Sequence, residues 1–179
     1  NYIPFEWNEK INDELTDIKL NENLPRKDLT RVPFITIDGA DAKDFDDAVH
    51  CVENKSSFTL SVAIADVAEL VKLGTALNNE AIERGTSIYF PSKVIPMLPE
   101  KISNNLCSLV PDQIRNVLVC EMVYSKTGDL HSYNFLEARI KSHKRMTYIE
   151  VDKYLKNNSN LSKSIENSIC SLSELTNIL

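Results

Sequence analysis

The chain predicts an α+β fold: a mixed, largely antiparallel sheet built from hairpins, with helices flanking it. Three observations carry this. Two pairs of apolar, strand-like runs, Ala48 to Glu53 with Phe58 to Ala65 and Asn116 to Ser125 with Leu130 to Ser142, are each joined by a short polar turn, the pattern of β-hairpins. Apolar residues at three- and four-residue intervals mark helices towards both ends of the chain. The 179 residues, 42% hydrophobic, suffice for one sizeable core.

In chain order, Ile11, Leu15 and Ile18 recur at helical spacing among polar residues, so a short surface helix is expected over residues 8–18. Asn21 to Asp28 is polar, contains Pro25 and reads as a linker into the first strand. This divides the chain into a helix and linker over residues 1–27 and a main body over 28–179. Phe34 to Ile37 and Ala48 to Val52 read as half-buried strands on either side of an acidic connection, and Asn54-Lys55-Ser56-Ser57 turns the first hairpin. Asp66, at the end of an apolar run, is expected as a buried or helix-capping carboxylate. Thr75 to Arg84 is a short helix that Gly85 ends, and Ser87 to Phe90 is extended. Val94 to Pro99 holds two prolines and is expected as a shaped apolar loop, not a helix. Lys126-Thr127-Gly128-Asp129 turns the second hairpin. Thr147 and Glu150 have capping-box spacing for a helix through Leu155, which Asn157 to Asn160 breaks. Leu161, Ile165, Ile169, Leu172, Leu175 and Leu179 then form the apolar stripe of a helix running to the last residue.

Composition limits the functions available. A net charge of −6 repels nucleic acid at long range, so a polyanion needs local basic surface, a metal ion, or other parts of a larger protein. Lys141, His143, Lys144 and Arg145 form the strongest basic cluster. Cys51, Cys107, Cys120 and Cys170 are scattered without Cys-x-x-Cys pairs, which argues against zinc; they are expected to be reduced and mostly buried. No run of about 18 apolar residues crosses a bilayer, and the first residues lack a signal peptide's pattern. A cytoplasmic protein without membrane association is expected.

The most unusual stretch is Asp38 to Asp47, with five carboxylates and one lysine in ten residues. Such crowding calls for a cation, the alternative being a solvated acidic turn. An EF-hand is excluded: counted from Asp38, its ligand and glycine positions hold Ala40, Ala42, Lys43 and Val49. Mg²⁺ fits better, since it takes one or two carboxylates and completes its shell with water and phosphate. The aspartates are expected to converge on such a site.

Thr36-Ile37-Asp38-Gly39 through Asp44-Phe45-Asp46-Asp47-Ala48-Val49 resembles the signature of the RNB catalytic domain of the ribonuclease II superfamily. Val62 to Val67, Arg84 to Pro91, Val94 to Glu100 and Leu106 to Leu109 resemble further blocks of that domain, in the same order. Ile3 to Trp7 and Val119 to Met122 look most like the superfamily's bacterial ribonuclease R branch. The resemblance implies a hydrolytic, processive 3′→5′ exoribonuclease that degrades single-stranded RNA to nucleoside 5′-monophosphates with Mg²⁺, or Mn²⁺ in its place. It also implies that Asp38, Asp44, Asp46 and Asp47 are the catalytic, metal-binding aspartates, with Asp46 nearest the hydrolytic step. Tyr89 matches a tyrosine that stacks on a base, and Arg145 is a candidate RNA contact. The domain is normally about twice this long, with glutamate and arginine motifs beyond the position of Leu179 and with flanking cold-shock and S1 domains, so the chain is expected to be its first part, inactive alone. Thr30 and Asn105 depart from the usual pattern. Two other readings compete: an aspartate-rich phosphatase, and a non-catalytic RNA-binding or scaffold module that keeps the fold.

Overall fold

In a computed structural model, residues 5–21, 23–157 and 161–179 are described, Asn157 by its backbone alone. The strands are β1 (Lys27–Asp28), β2 (Ile35–Asp38), β3 (Asp47–Glu53), β4 (Ser57–Ala65), β5 (Ile88–Phe90), β6 (Lys93–Ile95), β7 (Ile114–Ser125), β8 (Leu130–Lys141) and β9 (Lys144–Thr147). Seven of them form one mixed sheet in the order β1-β8-β7-β4-β3-β2-β9, and β5 pairs with β6 separately. Both predicted hairpins are present, β3 with β4 and β7 with β8, and β4 pairs antiparallel with β7 along nine residues to join them. Only the two outer pairings, β1 with β8 and β2 with β9, are parallel.

Residues alternate between the two faces along each strand, so each face buries its own layer. On one face Phe34, Ala48, Ala63, Val117, Val119 and Ile140 pack with Ile11 of α1 (Glu9–Asp17), Leu77 of α2 (Ala76–Arg84), and Leu98, Ile102 and Leu109. On the other, Ile35 and Met146 meet Tyr154 of α3 (Tyr148–Asn157) and Ile165 and Ile169 of α4 (Lys163–Ile178), while Cys51 and Phe58 meet Leu175. Each large side chain so buried contributes about 1.5–3 kcal/mol. Farther across that face, Ile64, Leu118, Tyr133 and Phe135 stay exposed.

The caps fall where the residues predict. Thr75 accepts from the Asn78 N–H and Gly85 ends α2 in the left-handed conformation. Thr147 and Glu150 exchange the reciprocal bonds of a capping box at the start of α3. Asp66 caps a single 3₁₀ turn, Val67–Glu69, and is also buried in an ion pair with Arg26.

Three expectations change. Lys27 and Asp28, read as linker, form β1 beside Ala138 and Arg139, because Arg26 just before them is pinned to Asp66 and the Val117 carbonyl. Lys144 and Arg145, read as part of a basic cluster at the end of the second hairpin, open a strand of their own beside β2; the charged residues hide the apolar alternation, and the partner strand lies more than 100 residues earlier. Val94 and Ile95, the start of the expected apolar loop, belong to β6. Lys101–Leu106 winds with a π-type bond from the Cys107 N–H to the Ile102 carbonyl. The expected break after α3 at residues 158–160 lies outside the described residues. Among the described residues no helix is long and apolar enough to cross a membrane.

Candidate active site

The acidic stretch connects β2 to β3, so its two ends are fixed by the sheet. Asp38 is the last residue of β2, opposite Thr147 of β9, and Asp47 is the first of β3, opposite Ile64 of β4. Between them a turn closes through the Ala42 N–H and the Gly39 carbonyl. Phe45, 6% exposed, drops into the core and anchors the connection. Its N–H donates to Ser108 Oγ at 3.0 Å, its carbonyl accepts from the Leu109 N–H at 2.8 Å, and Ser108 Oγ donates to the Lys43 carbonyl at 3.3 Å. The Ser108 carbonyl is in turn held by Arg115 Nε at 3.1 Å. Asp46 follows the anchor, and its carbonyl accepts from the Ala65 N–H at 2.9 Å.

This arrangement gathers Asp38, Asp44, Asp46 and Asp47 on one rim of the sheet. Asp38 and Asp44 are half-buried, and Asp46 and Asp47 are exposed. Desolvation first, then the charge of Asp47, raises the Asp38 carboxyl above its ordinary range; the nearby Arg145 opposes this, and Asp44 and Asp46 add to it. Asp46 is raised by desolvation and then by Asp44 and Asp47. The rim therefore carries mutually repelling carboxylates that a cation would relieve. Asp38 Oδ2 is buried with no hydrogen-bond partner among the described residues. Yet among the described residues no three His, Cys, Asp or Glu side chains converge as a ready metal cage. Such a rim fits a hard, largely hydrated ion held through one or two carboxylates, and not a closed all-protein site.

Arg145 stands on β9 opposite Thr36. Its Nη2 lies 3.2, 2.7 and 3.4 Å from the carbonyl oxygens of Gly39, Ala40 and Ala42, and its guanidinium carbon sits 4.8 Å from the centre of the Phe45 ring. The basic residue singled out for RNA is thus folded onto the acidic loop. Tyr89 stands apart, 69% exposed on β5 and paired with Val94 of β6. The base of that hairpin is held by Ser87, whose Oγ accepts from the Met97 N–H, and by Arg84, which donates to the Pro96 carbonyl and lies 3.7 Å over the Trp7 ring. Sequence reading missed Ser108 and Arg115 as braces, although Leu106 to Leu109 was singled out as a block. A serine and an arginine among core residues were the available signal.

A profile of the RNB domain matches residues 26–179. The chain belongs to the RNB family. This RNB chain is 46% identical over 180 residues to ribonuclease R of Vibrio parahaemolyticus, covering 97% of the chain and 21% of that protein. Its fold superposes on Mycoplasma genitalium RNase R in complex with double-stranded RNA and with ribose-methylated single-stranded RNA. Each comparison has a TM-score of 0.93 and 36% identity over 98% of the chain, covering 32% and 28% of the respective RNase R chains. The fold alone is shared with yeast Ssd1, a pseudonuclease, at 18% identity and a TM-score of 0.72, over 86% of this chain and 19% of that one. The RNB chain spans about a fifth of the length of the curated ribonuclease R relatives it matches.

Proposed function

We propose that the chain is the first part of the catalytic domain of a metal-dependent exoribonuclease that hydrolyses single-stranded RNA processively, 3′→5′, to nucleoside 5′-monophosphates. The observation that carries this reading is the rigidly braced rim of four carboxylates, in a chain 46% identical to a ribonuclease R. Asp38 with Asp47, and Asp44 with Asp46, are the pairs that would hold Mg²⁺, or Mn²⁺ in its place. A bound ion would supply an activated water and would neutralise charge on the attacking and leaving oxygens of an in-line displacement. The chain's own residues do the rest. Exposed Asp46 orients the attacking water, and the bonds of Phe45 with Ser108 and Leu109 fix the backbone from which that carboxylate projects. Tyr89, exposed and apolar-faced, offers a stacking surface to a base near the 3′ end. Such stacking is worth about 1–3 kcal/mol and tolerates any sequence. Cold-shock and S1 domains elsewhere in the parent protein would bind the rest of the strand, in the cytoplasm.

The test is Asp46→Asn in the whole parent protein, assayed on uniformly labelled single-stranded RNA. Loss of mononucleotide release by at least about 100-fold, the lower range for a positioned acid–base group, with RNA affinity largely kept, is the expected outcome. Affinity falling in step with activity would favour a non-catalytic RNA-binding module instead. That second reading is compatible with a fold that also occurs in a pseudonuclease. Release of phosphate from p-nitrophenyl phosphate without mononucleotides would point to a phosphatase.

A further inference from the structure

We infer that Arg145 is a positioning residue for the acidic loop: it holds the backbone between Asp38 and Asp44 in the shape that lets the aspartates take a divalent cation. The inference rests on the metal-dependent reading above and deepens it. Four residues of the loop meet this one side chain. Nη2 bonds to the carbonyl oxygens of Gly39, Ala40 and Ala42, which belong to the turn between two of the four aspartates, and the guanidinium lies over the ring of Phe45 beside Asp44 and Asp46. The side chain starts from β9, whose parallel pairing with β2 puts Thr36 opposite Arg145 and Asp38 opposite Thr147. The strand that carries Arg145 is therefore clamped to the strand that carries the first aspartate, and the reach from one to the other is short and fixed.

The loop needs such a clamp. Gly39 and Ala40 are exposed and supply no apolar anchor on the near side, while Phe45 and Ser108 brace only the far side. Five carboxylates within ten residues push the backbone apart when no cation is bound. A planar guanidinium lays a flat face on a ring while its in-plane N–H groups donate to carbonyls, whereas a lysine ammonium is a compact point charge on a flexible stem. Groups that hold the ligands of a metal, without touching it, typically change metal affinity 10- to 100-fold when removed. Arg145 Nε is buried and finds no hydrogen-bond partner among the described residues, so the contacts of the guanidinium with the loop run through Nη2.

The experiment compares the whole parent protein with its Arg145→Met, Arg145→Lys and Asp38→Asn/Asp47→Asn variants. Mn²⁺ binding is read by titration calorimetry, melting temperature in EDTA by circular dichroism, and loop amides 39–47 by hydrogen exchange without metal. The expected result is Mn²⁺ binding weakened about 10- to 100-fold in Arg145→Met and by less in Arg145→Lys. Melting temperatures should stay close to wild type, with the loop amides of Arg145→Met exchanging faster. Equal Mn²⁺ affinity in wild type and Arg145→Met overturns the proposal. If neither Arg145 variant folds, Arg145 is a folding residue and the positioning role is wrong. If wild type and the double aspartate variant alike fail to bind Mn²⁺, the metal-dependent reading falls, while faster loop exchange in Arg145→Met would still leave Arg145 as the clamp of the loop.

Discussion

Asp38 and Asp46 both have folded-state pKa values above their ordinary 3.8 because of desolvation and neighbouring carboxylates. A carboxyl raised in this way contributes stability fully below 3.8 and loses it as pH rises through its folded value, so at pH 7 the ionised rim is a net cost. Asp38→Asn should therefore raise the melting temperature in EDTA at pH 7, and the gain should vanish in acid. With Mn²⁺ at 100 times the wild-type Kd the order should reverse, since wild type gains about 2.7 kcal/mol from a site that Asp38→Asn weakens. Thermal melts in EDTA and in Mn²⁺ check both. His50 behaves oppositely. It lies 5.9 Å from the Phe34 ring with Nδ1 buried and unpartnered, and desolvation, then His143, pull its pKa below 6.5. A depressed histidine contributes stability above 6.5 that is lost as pH falls through the folded value. The melting temperature of His50→Gln should thus fall less steeply than wild type between pH 7 and 5, and parallel slopes would show that His50 is not responsible. Of the cysteines expected to be buried, Cys51 and Cys107 are, and burial pushes their thiols up to about 11 and about 12, while Cys120 is half-buried and Cys170 exposed.

Among elements, the second hairpin is the longest, and its turn serves the last helix as well. Gly128 sits at φ 92°, and a Cβ there would lie 3.0 Å from Ile178 Cγ2 and 3.3 Å from the Ile178 carbonyl oxygen. Gly128→Ala therefore combines left-handed strain with a clash against the end of α4. It should cost about 1–3 kcal/mol, read as a shift in urea midpoint at unchanged m value. A neutral result would mean that the end of α4 moves aside freely.

For the molecule as a whole, the distribution of arginines decides what the chain does alone. A well-placed arginine is worth roughly 10³–10⁵ in phosphoryl transfer, yet both arginines nearest the rim serve backbone carbonyls: Arg115 those of Ser108 and Asn105, Arg145 those of the acidic loop. With net charge −6, the chain also has little hold on a polyanion. Purified alone, with Mg²⁺ or Mn²⁺ and labelled single-stranded RNA, it should release no mononucleotides above an Asp46→Asn control. Release by the wild-type chain but not by the control would show that these residues suffice for hydrolysis.

The hairpins, the caps of α2 and α3, and the stripe of α4 were legible in the residues because each depends on neighbours a few positions apart: a polar turn, Thr147 with Glu150, or leucines every third and fourth place. The acidic stretch was legible too, since its charge density is a local property. What only the tertiary structure decided depends on partners far along the chain. β1 is a strand because Arg26 finds Asp66, and β9 because Phe34 to Asp38 lies beside it. Arg145, basic and seemingly free in sequence, turns inward because parallel pairing sets it against a loop about 105 residues earlier. Periodicity and spacing record the short-range forces; a hydrogen bond between distant strands leaves no period to read.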